Sequence, residues 1–317
     1  MATSGSTNFA VTRDDIINEA LEMLGVLGEG EIANTNQIAS ASRTLNMMTK
    51  AWQAEGLNLF AIERMYLFTE KAQEEYSLRS TTTDHVTTDF TETTVSVAAV
   101  SGASTITVDS DTGISNGDQI GIAQGTNVQW TTVNGTPSAD VITLTDVLAD
   151  DVVVDAVVYA YTTTADRPMK VMESYIHLAS SNTDIPIGKV SRRYYNQLSV
   201  KDNVGIVNQF YYDPQVNAGK LFVWPTTDDE KNYIVMFVQR TLDDLDSGTD
   251  NPDFPQEWYL PLTLNLAVLL ATKYGLPASE YREIASQAQA YYEMARGFDE
   301  ELYVSVYMTP DQRGEGL

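Results

Sequence analysis

After a polar start, apolar residues recur three and four positions apart at Ile16, Ile17, Ala20, Leu21 and Leu24. That period marks one face of an α-helix. Thr12 followed by Asp15 supplies a capping-box start, and Gly25 a stop. A second stripe, Ile38, Ala41, Leu45, Met48 and Trp52, begins near Asn34 or Thr35 and reaches Gly56, where a left-handed cap is expected. The two helices are expected to pair antiparallel. Near the far end, Leu260, Leu264, Ala267, Val268 and Ala271 predict a third helix closed by "YGLP". Asp250, Asp253 and Glu257 lie near its amino end, where the helix dipole favours negative charge. Ser279 is expected to cap a fourth helix carrying Tyr281, Ile284, Ala285, Ala288, Tyr291, Tyr292 and Ala295 as far as Gly297.

From about Thr69 the period changes from helical to alternating. Within residues 92–162, "STITVDS" (104–110), "GDQIGIA" (117–123) and "DAVVYAY" read as strands, and "VQWTTVNGTPSADVITLTD" reads as two more joined around Asn134-Gly135. Short strands so close together predict a small barrel or sandwich. Its Thr-rich ends, near Thr93 and Thr163, suit an insertion into a surface loop. Residues 167–240 predict a three-stranded meander: strands on either side of a turn with Asp213-Pro214 and Gly219, then "NYIVMFVQR" (232–240). A short helix is expected at "SRRYYNQL" (191–198).

A lone helical hairpin cannot bury its own apolar stripe, so the two terminal pairs are expected to pack on each other. The expected fold class is α+β: an antiparallel helix bundle formed from both chain ends, with inserted all-β regions, a three-stranded meander plus the small barrel or sandwich. Residues 1–68 and 250–298 would form the discontinuous helical core, 69–91 and 163–249 the meander region, and 92–162 the inserted domain. Residues 299–317 would be an extended tail, in which Leu302, Val304, Val306 and Met308 alternate with Tyr303, Ser305 and Tyr307. Such a tail can add a strand to a neighbour through backbone hydrogen bonds, or lie at the edge of the subunit's own sheet.

Charge and composition narrow the function. The 317 residues hold 44 acidic and 19 basic side chains, a formal charge of −25, and no Lys or Arg occurs between Arg79 and Arg167. Binding a phosphate backbone needs clustered cations, so nucleic acid and anionic membranes are disfavoured partners. The absence of cysteine excludes disulfides, thiolate nucleophiles and zinc–thiolate sites. The amino terminus lacks the basic and apolar regions of a secretory signal, so secretion is not expected. The longest apolar run (260–275) is interrupted by Thr263 and Asn265 and is shorter than the ~20 residues of a membrane span.

Candidate chemistry is sparse. His85 and His177 have no suitably spaced metal ligands beside them. "DSDTGISNGD" starts like a calcium loop with Asp109 and Asp111, but Gly113 and Ile114 break the pattern, as Asn251 does in the acidic loop running from Asp246 to Glu257. Turn chemistry and helix-end charge account for both. Glu74 and Glu75 read as solvated charge rather than a glycosidase pair. Tyr194, Tyr195, Tyr211, Tyr212 and Trp224 read as core or subunit contacts rather than a stacking platform. No enzyme, catalytic residue, metal or cofactor is expected.

Two segments carry a resemblance. "TRDDIINEALEMLGVLGEGE" followed by "ASASRTLNMMTKAWQAEGLNLF" resembles the amino-terminal helix pair of the head-to-tail adaptors of short-tailed bacteriophages, the family of tail accessory (packaged-DNA-stabilisation) factors and tubular protein A. Its "A-L-x-x-L-G" and "L-x-x-M-x-x-x-W-x-x-x-G" patterns fall on Ala20, Leu21, Leu24, Gly25 and on Leu45, Met48, Trp52, Gly56. "DFPQEWYLPLTLNLAVLLATKYG" is similar to the family's Pro-x-x-Trp helix, with Pro255 and Trp258. The resemblance covers about residues 9–68 and 165–300. It implies helical core packing by Leu21, Leu24, Leu45, Met48, Trp52, Trp258 and Leu264, and contact of Leu302, Val304, Val306 and Met308 with portal or neighbour. It further implies a non-enzymatic virion protein, assembled in the host cytoplasm. The protein would form a ring of identical subunits, twelve in relatives, between the portal and the tail nozzle or tube. Tail fibre or tailspike is a further candidate partner, and DNA would pass without sequence-specific binding. A nozzle or minor capsid ring component, or a carbohydrate-binding or cell-wall hydrolase activity in the β insertion, are the alternatives.

Overall fold

A computed structural model of the protein describes residues 5–55 and 59–299. Along the chain the elements are α1 (Arg13–Met23), α2 (Thr35–Glu55), β1 (Ile62–Phe68), β2 (Glu75–Leu78), β3 (Val86–Thr87), β4 (Thr91–Val97), β5 (Thr105–Val108), β6 (Gln119–Gln124), β7 (Asn127–Thr132), β8 (Val141–Thr143) and β9 (Val157–Tyr161). There follow β10 (Lys170–Leu178), β11 (Thr183–Pro186), β12 (Gly188–Lys189), α3 (Arg192–Asn196), β13 (Gln209–Pro214), β14 (Gly219–Trp224), β15 (Tyr233–Gln239), α4 (Tyr259–Tyr274) and α5 (Ala278–Phe298). The fold is α+β and divides into two compact units, residues 61–241 and the two chain ends flanking them.

In the helical unit, α1 starts as its sequence predicts, with Thr12 Oγ1 accepting from Asp15 N and Asp15 Oδ2 accepting from Thr12 N at 2.9 Å. Asn34 and Gln37 make the equivalent exchange at the start of α2. Gly275 ends α4 in the left-handed conformation. Ile17, Leu21, Leu45, Leu262, Leu266 and Leu270 belong to one buried apolar cluster, so residues from both chain ends share a core. Two sequence expectations are corrected. The cap of α5 is Pro277, not Ser279, because proline's fixed φ suits the helix entry and Ser279 already lies within the first turn. On α4, Leu264, Ala267 and Ala271 of the predicted face are buried and Val268 half-buried, but Leu260 is exposed and Leu262, Leu266 and Leu270 are buried as well, so the buried face is wider than the one predicted. Gly56 and the tail residues Leu302, Val304, Val306 and Met308 lie outside the described residues.

The other unit holds three sheets. One runs β11-β10-β15-β1-β3, another β12-β13-β14-β2, and the third β7-β6-β9-β4-β5-β8. The first two share a core that includes Met65, Leu67, Phe210, Leu221, Val223 and Met236. The expected meander is therefore corrected. β13 and β14 form the predicted hairpin, but β14's other neighbour is β2, and β15 sits in the facing sheet between β10 and β1. β15 is buried on both faces, which only a central position allows. Residues 62–68, assigned from sequence to the helical region, are β1, and the boundaries between units fall at 60/61 and 241/242 rather than at 68/69 and 249/250.

The third sheet spans residues 91–161 and has its own core, with Val95, Ile106, Ile120, Ile142 and Val158 fully buried or nearly so. It curls until its edge strands meet at the Val133–Leu144 bridge, flanked by Thr145 N donating to Thr132 O and Asn134 N to Thr143 O, both at 2.9 Å. The tight turn before β8 is at Ala139-Asp140, both with positive φ, and not at Asn134-Gly135. Asn134 is already committed to the seam, which leaves the reversal to the next pair able to adopt the conformation.

Candidate functional site

Around the helical core, polar side chains fix the chain ends together. The Arg13 guanidinium, 9% exposed, donates to the carbonyls of Asp246 (2.7 Å) and Leu245 (3.4 Å) and pairs with Asp14 at 2.9 Å. Asn46 exchanges two hydrogen bonds with the backbone of Leu245, and Lys50 pairs with Asp244 at 2.8 Å. Segment 242–250 is thus held on α1 and α2 by charge-assisted and amide contacts. Sequence periodicity could not find Arg13, Asn46 or Lys50, because apolar spacing is silent about polar residues.

The seven packing positions predicted from sequence fall as follows. Leu21, Leu24, Leu45 and Met48 are buried in the shared cluster, and Trp52 packs half-buried at its margin. Trp258 is buried, with its ring centroid 5.8 Å from that of Trp52, and Tyr292 of α5 approaches Trp52 at 4.8 Å. Phe254 and Phe60 complete the aromatic group at 5.3 Å from each other. Leu264 is buried and lines a groove instead.

That groove, of about 330 Å³, is lined by Met23 of α1, Leu264 of α4, and Glu280, Glu283, Ile284 and Gln287 of α5. A second, of about 280 Å³, shares Met23 with it and is lined by Phe9, Val11, Tyr259 and Leu260, with Asp15 and Glu19 beside them. Hydrogen bonds from Thr12 hold the Asp15 carboxyl below the usual carboxylate range. Farther along α5, Tyr291, Met294 and Phe298 stand exposed at i, i+3, i+7 spacing; Phe298 is 80% exposed. Of the predicted α5 stripe, Ala288 and Ala295 are buried while Tyr281 and Tyr291 face out. The helical unit thus carries one mainly apolar groove, a second groove bordered by carboxylates, and an exposed apolar stretch of α5.

The other candidates are occupied structurally. His85 lies flat on Trp130, centroids 3.8 Å apart, with Nδ1 hydrogen-bonded to the Tyr161 hydroxyl at 2.9 Å. Burial pushes its pKa down to about 4, opposed by nearby Asp84. His177 pairs with Asp184 at 2.8 Å. Asp109 accepts from the Thr94 hydroxyl, Asp111 and Asp140 accept each other's backbone N–H, and Asp250 accepts from Ser247 N. Glu75 pairs with Lys220 at 2.7 Å. Tyr195 and Tyr212 are buried, and burial pushes both phenols up to about 12. Tyr211 stacks on Phe222, Trp224 donates its indole N–H to Val200 O, and Tyr194 is exposed. Among the described residues no group of three or more His, Asp or Glu could hold a metal ion, and no helix is long and apolar enough to cross a membrane.

No family model matches the chain, and no curated protein matches it either.

Proposed function

We propose that the protein is a structural, non-enzymatic component of a bacteriophage virion, a head-to-tail adaptor that forms a ring of identical subunits under the portal and receives the tail nozzle or tube. In this reading the four long helices make an antiparallel bundle from both chain ends, and residues 92–162 are an inserted domain. One observation carries it: Leu21, Leu45 and Met48 share a buried cluster with Leu262 and Leu266, and Trp52 meets Trp258, so the separate segments that resemble the adaptors pack as one body.

The two grooves lined by Met23 and the exposed face of α5 are the surfaces offered to the portal. The formal charge of −25 suits a channel through which DNA moves, since a duplex carrying one charge per ~1.7 Å is repelled by an acidic wall. Localisation would be the neck of the virion. The test is to mix the purified chain with portal rings from the same virion and image the product by negative stain. Added density in register with the portal subunits is expected; bare portal rings at saturating chain concentration refute the reading.

A further inference from the structure

Charge is distributed very unevenly within the β unit. The third sheet and its loops lie in the stretch from residue 80 to 166 that has no Lys or Arg, whereas Arg192, Arg193 and Lys201 fall within ten positions of one another on and after α3. Each of these regions also exposes branched apolar side chains.

On the acidic side, the Ala99–Val152 bridge holds two segments together, and Ser101 ties them further by donating from its N to Asp151 Oδ1 and from its hydroxyl to Ala149 O, both at 2.8 Å. Val97, Val100 and Val154 stand exposed on these segments, 58%, 68% and 48%, beside exposed Asp150, Asp151 and Asp155. On the basic side, Trp224 holds Val200 O, Gly205 N donates to Thr226 O at 2.8 Å, and Val204 bridges Thr226. The loop after α3 is therefore fixed in place rather than merely exposed. Together α3 and this loop present Tyr194, Val200, Val204 and Ile206, each 45–56% exposed, with exposed Arg192 and Arg193. Lys201 lies over the Tyr195 ring at 5.1 Å; within residues 192–206 Asp202 is the one carboxylate against three cations, with Glu74 and Glu75 acting on Tyr195, Asp213 on Tyr211, and Glu75 paired to Lys220.

We propose that these two patches bind each other between copies of the chain: the valine–aspartate face of one subunit docks on the arginine-flanked α3 loop of the next. The patches are complementary in charge and alike in apolar content, as a specific contact requires. They are different surfaces of one chain, so the contact is head-to-tail, and a head-to-tail contact closes into a ring when its rotation allows. The proposal rests on the ring reading above and supplies its subunit contact.

Sedimentation velocity over a concentration series at ~0.1 M salt tests it, because the Debye length there is about 10 Å and the overall negative charge is screened while facing charges in contact are not. Wild type is expected to associate beyond a dimer. D150K/D151K and R192E/R193E should each weaken association at least tenfold, and an equimolar mixture of the two should recover it, because the reversed charges again oppose each other. Recovery on mixing also shows that both variants are folded. A monomeric wild type, a charge-reversed variant that associates normally, or a mixture that stays dissociated overturns the proposal. Portal imaging judges the adaptor reading separately: density under the portal with a monomeric free chain leaves that reading standing and removes this contact.

Discussion

The indoles of Trp52 and Trp258, from opposite ends of the chain, lie 5.8 Å apart with their planes tilted by 54°. Tilted aromatic pairs at this separation add ~0.5–1.5 kcal/mol beyond their buried area. Truncating Trp258 to Ala should cost about 3–5 kcal/mol, as for other buried tryptophans. Trp52→Ala, at a half-buried position, should cost less. A double-mutant cycle read by urea unfolding should show coupling between the two; strict additivity would mean that they do not support each other.

His85 predicts an acid-sensitive β unit. Its folded pKa, about 4, lies below the ordinary imidazole value of 6.5 because burial disfavours the charged ring. Between those values the unfolded chain binds a proton that the folded chain does not, so stability falls as pH drops through this window and levels off below about 4. The depression corresponds to roughly 3 kcal/mol. His85→Gln should flatten that part of the stability–pH curve, and an imidazole titrating near its ordinary value by NMR would contradict the assignment.

Gly121 faces Trp130 across the β6–β7 ladder, and a Cβ there would come within 2.8 Å of the indole ring. Gly121→Ala should push Trp130 off His85 and cost about 1–3 kcal/mol, the usual penalty for overpacking. The near-UV circular dichroism of the variant should change. An unaltered spectrum with unaltered stability would show that Trp130 moves freely.

Glu230 accepts from Val128 N at 2.7 Å and from Lys71 N at 3.1 Å, joining the start of β7 to the turn after β1. Glu230→Ala removes the acceptor for both amides, and hydrogen exchange at Lys71 and Val128 should accelerate together. Stability should fall by about 1.5–3 kcal/mol, the scale for hydrogen bonds to a charged group.

Met294, 68% exposed on α5, separates binding from stability. Met294→Asp should change stability by no more than about 0.5 kcal/mol. If the α5 face meets the portal, the same variant should bind portal rings several-fold more weakly in a pull-down. Equal binding would move the contact elsewhere on the helical unit.

Local pattern carried a good deal of this structure. Leu21, Leu45 and Met48 were legible as buried because a helix brings every third or fourth residue to one face, and Thr12 and Asn34 as helix starts because few side chains satisfy free amides there. Polar residues of the candidate site were not legible. Arg13 and Asn46 have partners at Leu245 and Asp246 that no spacing rule connects to them.

By itself the sequence determined the α+β class, the four long helices, the hairpin of β13 and β14, and an acidic β region without cations. All of these follow from periodicity, turn chemistry or charge, which act between near neighbours. Only the tertiary structure decided that Ile62–Phe68 is a strand, that β15 lies between β10 and β1 rather than beside β14, and that β7 closes on β8 through Val133 and Leu144. The reason is physical. An alternating strand presents the same two rows of backbone donors and acceptors to any neighbour, so its partner is selected by packing of distant residues and not by its own pattern.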